Sequence, residues 1–432
     1  MSIIEENCAS RKDRFDAVAE PFLQQPGLPF AHVLSADAIE QAFARGDALF
    51  GQNDIYSTQI VLWAFLAQVL RGGKGAACAA AVADVATYLQ QTGGCAPSGD
   101  TGDYCRARSK LDLAALRSLA GQAARQLENG ADPSWLWHGL HTKLIDGFTF
   151  TMPDTPDNQR EFPQQKSQKP GAGFPIARAC AVLSLATAAI CDMNFGPYEG
   201  KETGESALLR GILECLHDGD VAVFDRCFCS FLMLAILRGG GVHFCARLHQ
   251  RRPQDFRRGH RLGEGDHLVT WVRPKRPSWM SEELYERIPA TMTLREVRFQ
   301  VTVPGRRTEE LTVVTSLTDP EAYPKEDIAQ IYGYRWNAEL DIRDIKRTLS
   351  LDGCPLQDAG QGSPGGGGDA SGLQPHPQAD RDGGGRSREA AATVGLHLGL
   401  SDRLVVLDAA GNGRLPGCPD LVAAGARADR RQ

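Results

Sequence analysis

Two aspartates stand at places where an α/β protein usually carries out its chemistry. Asp146 lies in the strand-like segment 143–153, and Asp225 directly follows the short apolar strand pattern of residues 221–224. An aspartate that leaves a buried strand projects from a rigid element toward a crevice of the sheet. Each also has an ordinary explanation, because Asp-Gly is a common turn and Asp a common residue after a strand.

A third carboxylate, Glu339, lies in a helical pattern predicted for 325–349, which begins after Pro324. At about 100° per residue, Glu339 shares one polar face with Tyr332, Arg335 and Lys346. The neighbouring apolar stripe, predicted to pack on the sheet, comprises Ile331, Ala338, Ile342, Ile345 and Leu349. A solvated ion pair of Arg335 with Glu339 is the alternative interpretation of the polar face.

Three such carboxylates suit one kind of chemistry. Together Asp146, Asp225 and Glu339 could bind two divalent ions about 4 Å apart, one activating a water or a 3′-hydroxyl and the other stabilising the leaving oxygen. Arg335 and Lys346 would neutralise a phosphate beside them.

The elements that must position these residues change in character along the chain. Residues 1–130 are predicted to be a helical domain, from apolar spacing in 35–50, 58–71, 75–91 and 111–127. Strand patterns at 143–153, 179–192, 221–225 and 242–248 alternate with helical patterns at 204–217 and 229–238. This alternation predicts an α/β catalytic domain from 131–250 and 316–350. Between them, 251–315 is predicted to be a β-rich insertion, with strand signals at 294–303 and 310–317.

The charge distribution favours a local contact with phosphates. The net charge of −6 argues against a protein that coats nucleic acid by bulk electrostatics. Residues 247–276, however, hold nine Arg or Lys against three acids. The DNA-binding candidates in this stretch are Arg251, Arg252, Arg257 and Arg258. A solvated charged loop is the alternative.

Composition also predicts where the protein is found. The first residues lack the apolar region of a signal peptide, and no apolar run has the length of a membrane span. The twelve cysteines are scattered without a zinc-site spacing and are predicted to be reduced, buried thiols. These observations predict a soluble, cytoplasmic protein with no membrane partner.

The polar helix face resembles a known signature. Tyr332-Gly-Tyr-Arg335-Trp-Asn-Ala-Glu339, with Lys346 seven positions further on, reproduces the Y-x2-R-x3-E-x6-K pattern of insertion-sequence transposases of family four. The segments around Asp146-Gly147 and Asp225 look like the two aspartate motifs of that family. The resemblance covers roughly residues 40–350.

The resemblance implies a fold and a set of roles. The fold would be a ribonuclease-H-like domain interrupted by a β-strand insertion between the second Asp and the Glu. Asp146, Asp225 and Glu339 would be the DDE ligands of two Mg²⁺ ions, with Mn²⁺ as a substitute. Tyr332 and Arg335 would contact transposon-end phosphates near a flipped base, and Lys346 the same strand.

The same resemblance implies partners and a reaction. Family members cut double-stranded DNA at the terminal inverted repeats by hydrolysis and then use the freed 3′-hydroxyl for a hairpin and for strand transfer into target DNA. A homodimer would form the synaptic complex, associated with the nucleoid. The helical domain would recognise the repeats, with 101–108 as a phosphate contact. Trp271 and Trp279 are the candidates for stacking on a flipped base, and each could equally be an ordinary core or surface residue.

The last part of the chain differs in composition. Segment 354–390 is rich in glycine and almost without apolar periodicity, so residues 351–432 are predicted to be disordered. Codons can be chosen so that a shifted frame of 356–365 and 371–378 encodes two strings similar to the family, the second of them similar to its closing helix. A frameshift near 350–356 is therefore the preferred hypothesis, and this copy would then be a decayed, inactive transposase; an ordinary linker is the alternative.

Two other functions remain open from the sequence. A ribonuclease-H-like nuclease or integrase would use the same acids without transposing. A non-catalytic remnant would occupy transposon ends and inhibit the active enzyme. Terminal inverted repeats and a short target duplication around the gene would distinguish transposition from the first of these.

Overall fold

The structure, a computed structural model, describes residues 36–51, 54–71, 77–91, 94–95, 97–152, 154–169, 171–301 and 309–348. Three predictions therefore lie outside the described residues: those for 1–35, those for 302–308 of the insertion, and the disordered, frameshifted tail 351–432. The same holds for Leu349 and for the side chain of Ile345 in the apolar stripe.

The described part of 36–129 is helical. Its helices are α1 (Ala36–Ala44), α2 (Thr58–Arg71), α3 (Cys78–Gln91), α4 (Gly102–Arg108) and α5 (Leu113–Asn129). Helices α1, α2 and α5 share one apolar cluster that includes Phe43 and Leu62. Helices α2, α3 and α4 share a second cluster around Tyr104. The helical segments predicted from apolar spacing are thus observed, whereas a separate domain ending at residue 130 stays a prediction.

The rest of the described chain is built on one mixed sheet of nine strands. Their order is β3-β2-β1-β4-β5-β9-β8-β7-β6. Strands β1, β4 and β5 are parallel neighbours, and every other neighbouring pair is antiparallel. The strands are β1 (Thr142–Thr151), β2 (Ile176–Ser184), β3 (Ile190–Pro197), β4 (Val221–Phe224), β5 (His243–Arg247), β6 (His260–Gly263), β7 (Asp266–Val272), β8 (Thr291–Val301) and β9 (Glu309–Thr315). A mixed α/β protein with a large sheet is consistent with the predicted fold class.

The segment 179–192 is not a single strand. It contains the turn of the antiparallel hairpin β2–β3. Between the strands, Ala188 adopts a left-handed conformation with φ of 54°, and Oγ1 of Thr187 accepts a hydrogen bond from the backbone N–H of Ala189. The turn has neither glycine nor proline, so the sequence carries no signal that would mark it.

Helices cover both faces of the sheet. On one face lie α7 (Glu205–Arg210) and α8 (Phe231–Gly239), packed in a cluster with Ile145 and Phe224. On the other face lie α10 (Lys325–Gly333) and α11 (Arg335–Thr348), packed with Leu144 and Val223. The remaining short helices are α6 (Pro156–Glu161) and α9 (Glu282–Arg287). Neighbouring strand residues point to opposite faces, so the two clusters alternate along β1 and β4.

The predicted helix 325–349 is in fact two helices, separated at Tyr334. The break follows Gly333, a residue that weakens helices. Across the junction, the N–H of Asn337 donates to the carbonyl oxygen of Tyr334, in an i to i+3 pattern tighter than that of an α-helix. The prediction of one continuous helix is therefore wrong. Tyr334 keeps helical backbone angles, with φ of −64° and ψ of −14°, and Tyr332 interacts electrostatically with Arg335, so the face shared by Tyr332 and Glu339 stays a prediction.

A buried ion pair ties strands β7 and β8 to the start of α10. Arg295 donates to both carboxylate oxygens of Asp266, at 2.8 and 2.6 Å, and to the carbonyl oxygen of Tyr323 at 2.6 Å. Nearby, Nζ of Lys325 donates to the carbonyl oxygen of Glu264 at 2.6 Å. The segment that enters α10 is thus held by the strands of the predicted insertion.

Helix α5 docks on the opposite end of the sheet through two charged contacts. Arg117 donates to both carboxylate oxygens of Asp192 on β3, at 2.6 and 2.8 Å. Lys143 at the start of β1 is fully buried and ion-pairs with Glu128 of α5. These contacts join the helical part of the chain to the strand that carries Asp146.

The cysteine prediction is correct only in part. The described cysteines are all free thiols, but Cys95 and Cys227 are exposed rather than buried. No helix within the described ranges is both long and apolar enough to cross a membrane.

Candidate active site

The sheet places Asp146 and Asp225 side by side. Strands β1 and β4 are parallel, and Ile145 is the register partner of Phe224. The next position on each strand path is therefore the aspartate, and parallel neighbours are roughly 5 Å apart. Asp146-Gly147 lies inside β1, paired with β2, so its interpretation as a turn is wrong.

Both aspartates belong to the face of the sheet covered by α10 and α11. Leu144 and Val223, each two residues before an aspartate, pack in the cluster that contains Ile331 and the rest of the helix stripe. Side chains two residues apart on a strand point the same way. Asp146 and Asp225 are therefore directed toward the helix that carries Glu339.

Arg335 lies among the three acids. Its Nη1 donates to Oε1 of Glu339 at 2.8 Å, and the Arg335 side chain is only 9% exposed whereas Glu339 is 48% exposed. Burial lowers the pKa of Arg335, but Tyr332, Glu339 and Asp225 together raise it more. Arg335 also interacts electrostatically with Asp146. The predicted ion pair with Glu339 is present, on a buried arginine rather than on a solvated face.

Burial and its neighbours perturb Asp146. Desolvation raises its pKa to about 6, and Glu339 and Glu205 contribute in the same direction. The N–H of Gly147, which donates to Oδ1 of Asp146 at 3.0 Å, and Arg335 act in the opposite direction. Asp146 is thus a carboxylate held in a region of negative potential, which a cation would relieve.

This environment predicts a pH dependence of the metal-free protein. The folded pKa of Asp146, about 6, is above the ordinary value of 3.8, so the folded state holds the proton more tightly between these values. The free energy of unfolding should therefore fall by up to about 3 kcal/mol as the pH rises from about 4 to about 6. Urea denaturation in the presence of a chelator, repeated at several pH values, measures this change in the free energy of unfolding. Asp146→Asn should remove this contribution, and an unchanged slope in that variant would contradict the assignment.

Two observations indicate that these acids suit a divalent cation. Among the described residues, Oδ1 of Asp225 is buried and has no hydrogen-bond partner, so a carboxylate oxygen is left without a donor. Carboxylate oxygens are also the ligands that Mg²⁺ prefers. Over the same residues, no three His, Cys, Asp or Glu side chains are close enough to hold a metal together, and Glu339 is bound to Arg335. The assignment of all three acids as ligands therefore stays a prediction.

The three DNA-contact candidates of the signature lie in different surroundings. Tyr332 is 1% exposed and packs in the core beside Phe299 and Trp336, with ring centroids 6.3 and 6.4 Å away. Burial raises its pKa. Arg335 is buried beside it, and Lys346 is partly buried. Their contacts with a DNA strand stay predictions.

The basic loop of the predicted insertion is built around a buried glutamate. Glu296 accepts a hydrogen bond from Nε1 of Trp271 at 3.0 Å and contacts Nε2 of His267 at 3.2 Å. Nδ1 of His267 in turn lies 2.7 Å from the carbonyl oxygen of Arg258. Arg252 stacks on Trp271, its guanidinium carbon 3.4 Å from the ring centroid. The loop is thereby fixed to strands β7 and β8.

The other arginines of this loop face outward. Arg251, Arg257 and Arg258 are exposed, and the last two ion-pair with Asp255. These positions fit the predicted phosphate contacts without testing them.

The remaining DNA-binding candidates are engaged within the protein. Trp271 is buried, and the ring of Trp279 lies 4.0 Å below the guanidinium of Arg210. Segment 101–108 forms α4. In it Arg106 is exposed and pairs with Asp103, whereas Arg108 packs over Phe65 and Tyr104. Stacking on a flipped base by either tryptophan would require these contacts to open.

Comparison with known proteins shows the family of this chain. The family model described as Transposase DDE domain matches residues 137–358, a little more than half of the chain. The protein therefore belongs to the transposase DDE-domain family. The matched range contains both aspartates, Glu339 and the whole Tyr332–Lys346 signature.

Two curated relatives come from Escherichia coli (strain K12). The chain is 27% identical over 252 residues to the transposase InsG for insertion sequence element IS4, an alignment that covers 58% of this chain and 54% of InsG. It is 28% identical over 141 residues to the putative transposase InsZ, covering 32% of this chain and 46% of InsZ. The chain thus spans about half the length of the curated relatives it matches. These relatives support the predicted family of IS4-type transposases.

One acid near the site was missed by the sequence reasoning. Glu205, the first residue of α7, raises the pKa of Asp146 and lies against Gly147. An acidic residue in the first turn of a helix is common, because it complements the helix dipole. No local pattern therefore distinguishes Glu205, and only the packing of α7 on β1 reveals it.

Proposed function

We propose that this protein is a DNA transposase that cleaves transposon ends in a metal-dependent reaction and joins them to target DNA. The observation that carries the proposal is the adjacent placement of Asp146 and Asp225 beneath the helix of Arg335 and Glu339. Family membership supports the same reaction class. We further propose that β1–β5 with their helices form a ribonuclease-H-like domain, that 251–315 is its insertion, and that 1–130 is a DNA-binding domain.

In this proposal Asp146, Asp225 and Glu339 hold two Mg²⁺ ions, or Mn²⁺ in their place. The bound ions would lower the pKa of the attacking hydroxyl and neutralise charge on the phosphate. The chain's own residues supply the rest. Arg335 neutralises the acids in the metal-free protein and, when Glu339 turns to the metal, offers its guanidinium to a phosphate oxygen.

The DNA would contact positively charged side chains of the insertion and of α11. The exposed arginines 251, 257 and 258 and the partly buried Lys346 supply positive charge, and phosphate contacts of this kind position a duplex without reading its sequence. We propose that the helices of 36–129 recognise the terminal inverted repeats and that a homodimer brings two ends together.

Two other functions make different predictions. A nuclease or integrase with this fold would cut without joining transposon ends. A non-catalytic inhibitor would bind ends without cutting. The buried, unpartnered oxygen of Asp225 favours a catalytic role, because an inhibitor has no need of a costly unsatisfied carboxylate.

The testing experiment uses DNA that carries the native transposon end. This chain and a version with the frame restored near 350–356 are compared in Mg²⁺ and in chelator. Metal-dependent 3′-hydroxyl formation followed by strand transfer supports transposition. Cleavage without transfer supports the nuclease, and binding without cleavage by both proteins supports the inhibitor. Cleavage by the restored version alone identifies this copy as a decayed enzyme.

A further inference from the structure

Helix α7 contacts the loop that leaves Asp225. Oε2 of Glu205 accepts a hydrogen bond from Sγ of Cys227 at 3.2 Å. The next residue, Ser206, donates from Oγ to the carbonyl oxygen of Cys227 at 2.9 Å. Cys227 follows Asp225 by two residues, so the first turn of α7 holds the loop 225–229 by one side-chain and one backbone contact.

The same glutamate lies against the strand of the other aspartate. A Cβ on Gly147 would stand 2.3 Å from Cδ of Glu205, closer than real Cβ contacts come. Glycine after Asp146 therefore makes room for Glu205. The side chain of Glu205 thus lies against Gly147, next to Asp146, and contacts the side chain of Cys227, two residues after Asp225.

Glu205 approaches from the face of the sheet opposite to the acids. Gly147 and Asp146 are consecutive residues of β1, so their side-chain directions alternate. Helix α7 packs in the cluster of Ile145 and Phe224, which belongs to the other face. Glu205 therefore lies where it can hold the chain segments next to the aspartates. It is not placed to bind a metal ion together with Asp146 and Asp225.

Asp225 has a reason to depend on such support. Within the described residues, its buried Oδ1 receives no hydrogen bond, so no donor orients that oxygen directly. Arg335 interacts electrostatically with this carboxylate, and the backbone of the loop sets the position from which the side chain projects. Apart from α7, Arg226 anchors this loop through Nη1, which donates to Oε1 of Gln250 at 3.0 Å.

We propose that Glu205 is a positioning residue for Asp225: by holding Cys227 from behind the sheet it keeps the Asp225 carboxylate aimed into the acidic site. The proposal rests on the proposed function, since it assumes that Asp225 is a metal ligand. It adds a residue outside the DDE and Tyr-Arg-Glu-Lys sets.

The experiment compares Glu205→Ala with Glu205→Gln, because the glutamine amide oxygen can still accept from the thiol. Glu202→Ala is the matched control, since Glu202 pairs with Arg210 and not with the loop. Four quantities are measured. They are alkylation of Cys227 in metal-free protein by peptide mass spectrometry, Mn²⁺ binding by electron paramagnetic resonance, thermal unfolding, and the KM for Mg²⁺ against kcat in end cleavage by whichever version cleaves.

Cys227 is already exposed, but its thiol donates to Glu205. We therefore expect Glu205→Ala to release the thiol for faster alkylation and to weaken Mn²⁺ binding about 10- to 100-fold, as removal of a ligand's outer partner does. The KM for Mg²⁺ should rise by a similar factor, with kcat at saturating Mg²⁺ nearly unchanged. Glu205→Gln and Glu202→Ala should stay close to wild type. Cys227→Ala should weaken Mn²⁺ binding as much as Glu205→Ala does, and the double variant should bind Mn²⁺ no more weakly than either single variant.

Each contrary result has a distinct meaning. If Glu205→Gln weakens Mn²⁺ binding as much as Glu205→Ala, charge rather than positioning matters and the proposal is overturned. Lower thermal stability with unchanged Mn²⁺ affinity also overturns it, because the contact is then merely structural. A wild-type protein that neither binds Mn²⁺ nor cleaves overturns the proposed function itself, and the positioning role with it.

Discussion

Replacing Glu339 with glutamine should lower the rate of metal-dependent end cleavage by about 10³-fold or more, the equivalent of about 4 kcal/mol of transition-state stabilisation. Glutamine has nearly the same shape and favours helices to a similar degree. Its amide oxygen can keep the hydrogen bond from Arg335, but it lacks the negative charge that a divalent ion requires. The loss should therefore fall on catalysis.

Folding and DNA binding should hardly change in this variant. Glu339 is about half exposed, and glutamine can keep the hydrogen bond from the buried Arg335, whose charge Asp225 also offsets. The measurement is single-turnover cleavage together with end binding and thermal unfolding, made on whichever of the chain and its frame-restored version cleaves. Glu326→Gln removes the same charge from the exposed first turn of α10 and should cleave like wild type. Cleavage by Glu339→Gln within about tenfold of wild type would remove Glu339 from the metal site, since loss of a ligand costs several kcal/mol.

Removing the carboxylate of Asp266 should lower the free energy of unfolding more than any of the other substitutions described above. Asp266→Ala leaves the fully buried Arg295 without its counterion, and breaking one side of a buried pair costs about 3–5 kcal/mol. Arg295 would keep only the carbonyl oxygen of Tyr323 as a described partner. Urea denaturation measures the free energy of unfolding.

Two further variants make this prediction specific. Glu310→Ala breaks the more exposed pair with Arg298 on the same sheet and should cost less than about 1 kcal/mol. Replacing both partners, Asp266→Leu with Arg295→Met, should recover most of the loss, because apolar pairs of similar volume often substitute for buried ion pairs. A double variant as unstable as Asp266→Ala would show that the link to Tyr323 at the entrance of α10 matters more than the uncompensated charge.

Sequence alone was enough to predict the class of protein. The signature from Tyr332 to Lys346 and the two strand-borne aspartates resemble transposases of the DDE class, and family membership confirms that class. The spacing is informative because helix and strand periods determine which side chains share a face. The α/β character and most element boundaries followed from the same periodicities, while the domain boundaries stay predictions.

Tertiary packing decided what local patterns do not encode. Tyr332 and Arg335 are buried because α10 and α11 both pack on the sheet, in one apolar cluster. A helical wheel that assumes one continuous helix places both residues on a polar face and does not report their burial. The burial of Arg295 could not be predicted from the sequence either. Its partner Asp266 is remote in sequence and contacts it only through strand pairing.

The surroundings of the two aspartates show most clearly which features are local in sequence and which depend on tertiary packing. Each aspartate could be identified from its own strand, because a strand pattern is local. Their adjacency needs the parallel register of β1 with β4, and the contact of Glu205 with Gly147 and Cys227 needs the packing of α7 on the far face. Such contacts join residues tens of positions apart, and no periodicity of the chain reports them. The sequence by itself therefore determined which residues could do chemistry, and the tertiary structure alone decided which neighbours orient them.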